Sequence, residues 1–346
     1  MKANLMLLVA DSLQDLPVSP ADSPDNALAK DLRTRLRRWE AKFAAAQAPA
    51  TVKAVRSDWQ MFFGWCERAR VSPLPADTAS LVVFLTDMVR MGRRRATLNR
   101  YVYTVTTIHA AAGLPDPTAH PDWALEWKGI VRRLTADKRN GSTQAEPLQA
   151  HHVETILASL GDSLRDLRDA ALLSLASDTL CRESELAAVS LSDLAPLANE
   201  EGWTLHLARS KNDQEGIGSE RFVSNATKSR LDAWCAAAGI QSGFLFLPIG
   251  GRPKADPSAP PHLRPAEVAK IFRRRAKRAN LGQAANVSGH SARVGSTVDL
   301  IEQGFSTTDA QFAGGWKSER MVLKYAKRAK AGKNAMAQMR MKGSKG

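Results

Sequence analysis

Seven residues of the chain combine types and spacings that suit chemistry on a phosphate. Arg182 and Glu185 lie three apart in "CRESEL", and Lys211 follows in "ARSKNDQEG". His290 and Arg293 lie three apart between two glycines in "SGHSARVG", and Trp316 and Tyr325 close the set in "AGGWKSERMVLKY". Arginine forks bind non-bridging phosphate oxygens and stabilise the charge that builds on phosphorus in a transition state. A tyrosine phenol is mostly protonated near neutral pH, so cationic neighbours and a base such as histidine must help it act as a nucleophile. Its attack on a phosphodiester would give a covalent phosphotyrosine, and a lysine can protonate the departing hydroxyl. The set calls for no metal or other cofactor, and the chain offers no clustered carboxylates to hold one.

Each piece also has a plain structural reading. Arg182 and Glu185 suit a surface i,i+3 salt bridge, and Lys211 a solvated loop charge. His290 and Arg293 suit a helix cap and an exposed arginine on the same side of a helix start. Trp316 and Tyr325 suit packing anchors, Tyr325 falling in helical step with Met321 and Val322. If the His-x-x-Arg pair holds a phosphate, the flanking Gly289 and Gly295 let backbone and that ligand approach closely.

The elements that must position these residues divide the 346-residue chain into two parts. Residues 1–30 are expected to form a flexible leader, because "DSLQDLPVSPADSPDNALAK" is rich in Pro, Ser and Asp. Residues 31–135 read as a helical bundle. "TVKAVRSDWQMFFGWCERARV" sets Val52, Val55, Trp59, Phe62, Phe63 and Cys66 on one face. The next helix can be capped by Asp77 or Thr78, and the third stops at Gly113. "DWALEWKGIVRRL" supplies a fourth. Residues 136–149 are polar and turn-forming, and serve as the linker.

Residues 150–330 form the second domain, mainly helical, with one change of period. Trp203, Leu205 and Leu207 alternate with polar residues, and a second short run ends in Phe222 and Val223. That pattern predicts a β-hairpin or small sheet with Lys211 at or near its tip. Helices are expected at 227–238, 264–280, 288–304, 307–313 and 318–330. Residues 331–346 form a basic tail.

The formal net charge is +14. Residues 1–30 carry Lys2 and Lys30 against Asp11, Asp15, Asp22 and Asp25, so the rest of the chain is more basic still. Such a balance suits a polyanionic partner, nucleic acid first, with anionic lipid or a plain solvated face as the other readings. The three cysteines are widely spaced and match no disulfide or zinc pattern, which fits a reducing cytoplasm. "LMLLVA" near the start is too short to span a membrane.

Taken in order, Arg…Lys…His-x-x-Arg…Trp…Tyr resembles the tyrosine recombinases, or phage integrase family. "SGHSARVG", "AGGW" and the step from Trp316 to Tyr325 carry the likeness in the second domain, and "FGWCERARV" and "TVTTIHAAAGLPDP" extend it into the first. The resemblance implies a mainly α fold of two domains, a helical DNA-binding domain and a catalytic domain with a small β-sheet. It implies a metal-independent enzyme needing no cofactor. Tyr325 would be the nucleophile, Arg182 and Arg293 the phosphate clamp, and Lys211 the general acid. His290 would be an acid, base or phosphate ligand, and Glu185 an orienting group. Trp316 stands where many members have a second histidine, and an indole donates a hydrogen bond but cannot shuttle a proton.

The implied partner is double-stranded DNA carrying an inverted-repeat site, bound first by one or two protomers and finally by a homotetramer. The two domains would close on the duplex as a C-shaped clamp. Arg93, Arg94, Arg95 and Arg100 in "RRRATLNR", and Arg273, Arg274, Arg275, Lys277 and Arg278 in "FRRRAKR", would meet phosphates. Arg264 and Lys270 would reach base edges. In this family a C-terminal helix docks on the neighbouring protomer. "NAMAQMRM" could do so through its methionines, or the tail could touch DNA.

Overall fold

The computed structural model describes residues 24–137, 145–198, 200–208, 218–250 and 262–331. The chain divides into two compact units with the boundary between Thr143 and Gln144.

Among the described residues the regular elements of the first unit are all helices: α1 (Pro24–Ala46), α2 (Pro49–Ala69), α3 (Thr78–Arg90), α4 (Arg95–Ala112) and α5 (Trp123–Ala136). Helix α1 corrects the sequence reading, since it starts inside the segment taken for a leader. Pro24 stands at its first position, where a missing N–H costs nothing. Asp77 caps α3, accepting a 2.6 Å hydrogen bond from the Ser80 N–H. Gly113 ends α4 in the left-handed conformation, as its residue type predicts. Trp59, Phe62, Phe84 and Tyr101 form an aromatic core in which Phe84 meets Phe62 and Tyr101 edge to face, the Phe62 and Phe84 centroids lying 5.1 Å apart. Such geometry aligns the positive ring edge with the negative face.

The second unit holds α6 (Ala150–Ala158), α7 (Leu164–Thr179), α8 (Glu183–Ala188), β1 (Leu194–Pro196), β2 (Trp203–Leu207), β3 (Ser219–Val223) and α9 (Asn225–Ala238). It continues with α10 (Pro265–Arg278), α11 (Ser291–Glu302), α12 (Thr307–Gly314) and α13 (Glu319–Ala331). The strands form one antiparallel sheet in the order β1-β2-β3, with Leu194 opposite Leu205 and Leu205 opposite Arg221. The β2 alternation holds: Leu205 and Leu207 are buried and His206 is exposed. Phe222 faces outward at 54% exposure while Val223 is buried, so the two end residues of β3 lie on opposite faces. Strand β1 escapes sequence reading because it spans three residues and ends in proline.

Helix α7 is the hub of this unit. Ala171, Leu172, Leu173, Leu175 and Ala176 are all buried, so it is covered on every side. A buried charge network ties it to α10. Asp169, wholly buried, accepts from Arg168 at 2.7 Å, Arg274 at 2.8 Å and Arg275 at 2.6 Å. Among the described residues no helix is long and apolar enough to cross a membrane.

Candidate active site

The site begins where α7 ends. Leu180 takes the left-handed conformation (φ +51°), which a side chain with a Cβ adopts only at a cost of about 1–3 kcal/mol. That turn aims the Leu180 carbonyl at Arg293 and delivers Cys181 and Arg182 to the start of α8. Arg182 precedes the helix, and Glu185 folds back onto it. The Arg182 backbone N–H donates to Glu185 Oε2 at 2.7 Å, and its Nη1 donates to Oε1 at 2.6 Å. The salt bridge open to sequence reading therefore exists, but not on the surface, since Glu185 is only 8% exposed.

Arg293 sits at the first turn of α11 and is 2% exposed. Its Nη1 donates to the Leu180 carbonyl and its Nη2 to the Gly314 carbonyl at 2.8 Å. The guanidinium also lies 4.0 Å from the Trp316 ring centroid, a cation–π contact. Burial pushes its pKa down to about 10, helped by the charge of Arg182, while Glu185 and Tyr325 favour the charged form. It remains a cation at neutral pH. The surface reading of Arg293 is thereby excluded.

His290, three residues earlier, is by contrast open to solvent, with its side chain 47% exposed. Nδ1 lies 3.2 Å from Glu183 Oε1. Sequence reading passed over Glu183, because the contact crosses 107 residues and leaves no local spacing signal.

The Gly314–Gly315 turn between α12 and α13 is built for close approach. A Cβ on Gly314 would overlap the Trp316 ring, and one on Gly315, which has φ +61°, would overlap the Arg221 guanidinium. Trp316 is therefore folded back over Arg293, 6% exposed, and its ring centroid stands 5.7 Å from that of Tyr325. Val322, fully buried, anchors α13, whereas Met321 is exposed and Tyr325 half-buried. Arg221 on β3 is a second residue that sequence reading missed. It is 7% exposed, its Nη1 donates to the Glu220 carbonyl at 3.0 Å, and its buried Nε has no partner.

Arg182, Glu185, Arg293, Trp316 and Tyr325 thus form one cluster, with His290 at its open edge. Lys211 lies outside the described residues. The two glycines of "SGHSARVG" have a different role from the one their spacing suggested. A Cβ on Gly289 would overlap Glu183, and one on Gly295 would overlap the Leu148 backbone. Both make room for this chain itself rather than for a ligand.

The basic candidates also sort by environment. Arg93, Arg94, Arg264, Lys270, Arg273 and Arg274 are exposed, and Arg95 is half-buried. Arg100 holds buried Asp58 through two hydrogen bonds of 2.5 and 2.7 Å. Arg275 is 3% exposed and bonded to Asp166 and Asp169, which corrects its reading as a phosphate contact. Among the described residues no group of three or more His, Cys, Asp or Glu could hold a metal ion. The three cysteines are free and buried, and burial raises the Cys181 thiol beside Arg182 to about 11.

A helical unit followed by an α-rich unit with a three-stranded sheet, an arginine cluster and a tyrosine on α13 defines a tyrosine-recombinase fold. Residues 146–331 match the Phage integrase family, and the chain belongs to it. It is similar to the recombinase Cre of Escherichia phage P1, 24% identical over 94% of this chain and 96% of the relative. An integrase/recombinase XerD homologue from Selenomonas ruminantium is 28% identical over 81% and 82% of the two chains. Among solved structures, XerH site-specific recombinase bound to palindromic difH substrate aligns with TM-score 0.58 at 17% identity, over 94% of this chain and 93% of its own. A lambda integrase dimer bound to a COC′ core site aligns with TM-score 0.52 at 18% identity, over 88% and 81%.

Proposed function

We propose that the protein is a site-specific DNA recombinase acting through a 3′-phosphotyrosine intermediate. The observation that carries this is the buried, charged Arg293 held beside Tyr325 with no carboxylate bonded to it among the described residues. Tyr325 Oη attacks phosphorus, forming the O–P bond as the bond to the 5′-oxygen breaks. Arg182 and Arg293 take up the charge of the non-bridging oxygens. His290 accepts the phenol proton, and Lys211 protonates the leaving 5′-oxygen. Attack by the 5′-hydroxyl of a second duplex reverses the step and frees Tyr325. The guanidiniums supply the positive charge, so the reaction needs no metal.

Two rounds of exchange through a Holliday junction would recombine two inverted-repeat sites held by four protomers. The exposed Arg93 and Arg94, with Arg95, would meet phosphates in the first unit, and Arg100 would do so while braced by Asp58. Arg264, Lys270, Arg273 and Arg274 form the counterpart on and beside α10. Phage, plasmid or bacterial DNA in a cytoplasm is the expected setting.

A DNA substrate nicked next to the cleavage point tests the chemistry, because the short product diffuses away and traps the adduct. The wild type accumulates a covalent protein–DNA species and Tyr325→Phe accumulates none. An adduct in the mutant removes Tyr325 from its role, and none in either protein leaves a DNA-binding protein without cleavage activity. Product exchange between two linear duplexes then separates recombination from supercoil relaxation or hairpin formation.

A further inference from the structure

The first turn of α8 carries two carboxylates that serve different partners. Glu185 returns to Arg182, as described. Glu183 reaches across to the start of α11, placing Oε1 3.2 Å from His290 Nδ1. The main chain of His290 is already held: its N–H donates to Ser288 Oγ at 3.2 Å and its carbonyl accepts from Val294 at 2.9 Å. The orientation of the ring is the freedom that remains. Among the described residues, Glu183 makes the only hydrogen bond to that ring.

An ionised carboxylate accepts and cannot donate, so this contact requires the imidazole proton on Nδ1. The lone pair is then on Nε2, the nitrogen turned away from Glu183. Gly289 supports the same arrangement independently, since any Cβ there would occupy the space of the Glu183 side chain. At 24% and 47% side-chain exposure, the pair adds little to stability. Its consequence is directional: it selects the tautomer and fixes the ring plane.

We propose that Glu183 is a positioning residue for His290, presenting Nε2 as the site that accepts the proton of the attacking tyrosine. This rests on the reading of His290 as a base in phosphotyrosine formation. Glu183 touches neither substrate nor phosphate, and acts through the ring it orients.

Single-turnover adduct formation on the nicked substrate tests the proposal in a double-mutant cycle. Glu183→Ala should slow adduct formation about tenfold, the effect of losing one well-placed hydrogen bond to a charged group, while DNA affinity stays unchanged. Glu183→Gln, whose amide oxygen still accepts from Nδ1–H, should recover most of the rate. Gly289→Ala should imitate Glu183→Ala. In a His290→Ala background, Glu183→Ala should cost nothing further. Equal slowing in both backgrounds, or no slowing at all, overturns the proposal. Nitrogen NMR of the DNA-free protein reads the same claim without cleavage. His290 should carry its proton on Nδ1 in the wild type and shift toward Nε2–H in Glu183→Ala, and an unchanged tautomer overturns the assignment. A wild type that forms no adduct while showing this shift would instead overturn the catalytic reading beneath it.

Discussion

Two groups of buried arginines lie in the second unit, and they are neutralised in different ways. Arg168 and Arg275, at 5% and 3% exposure, are bonded to the carboxylates of Asp169 and Asp166. The Ser163 hydroxyl and then Arg275 hold the Asp166 carboxyl below its usual range, keeping it ionised. Arg293, at 2% exposure, is bonded to two carbonyls and a ring face instead. Near it, among the described residues, Glu185 is the one carboxylate paired with Arg182, and Arg221 keeps a buried Nε unpartnered. Unmatched buried charge is expensive, so a cluster short of carboxylates favours binding of an anion. The first group holds helices together, and the proposed role of the second is to bind the scissile phosphate.

The largest expected effect on stability separates the groups. Asp169→Ala leaves three guanidiniums facing an empty site and should cost about 3–5 kcal/mol, read as a lowered urea midpoint. A stability near that of the wild type would contradict the assignment of that network to the fold.

A smaller effect belongs to the first unit, where His109 is buried as a neutral ring. His109 Nδ1 donates to the Val105 carbonyl at 2.8 Å and its Nε2 accepts from the Ala76 N–H at 2.9 Å. Burial lowers its pKa from 6.5, so the unfolded chain binds this proton more readily than the folded one. Unfolding free energy should therefore fall as pH drops below about 6.5 and be indifferent to His109 above that. Denaturant titrations across pH should show this slope and lose it in His109→Gln.

The contrast between the two groups also marks what sequence could convey. The helix faces, the Asp77 cap, the Gly113 stop and the β2 alternation are local signals and were legible. That Arg182, Glu185, Arg293, Trp316 and Tyr325 come together was also legible, because the expectation rests on residue types in sequence order. Burial was not. His290 and Arg293 share a helix start, yet one faces solvent and the other is packed between Leu180, Gly314 and Trp316, which is decided by elements distant in the chain. Arg275 read as one more exposed charge in "FRRRAKR", and only the α7 packing shows that it points inward. Glu183 and Arg221 were silent for the same reason: their partners are tertiary. The Pro, Ser and Asp content that suggested a leader masked the start of α1, because a proline at the first helical position is permissive rather than disruptive.

In the proposed mechanism the Arg293 cluster neutralises the scissile phosphate. The most direct measurement compares Arg293→Ala with wild type on two nicked substrates, one with an ordinary phosphodiester at the cleavage point and one with an uncharged methylphosphonate. On the phosphodiester, losing Arg293 should slow single-turnover cleavage by about 10²–10³-fold. On the methylphosphonate, which carries no negative charge to neutralise, that penalty should shrink to a small factor. An equal penalty on both substrates would contradict the claim and leave Arg293 a structural residue like Arg275.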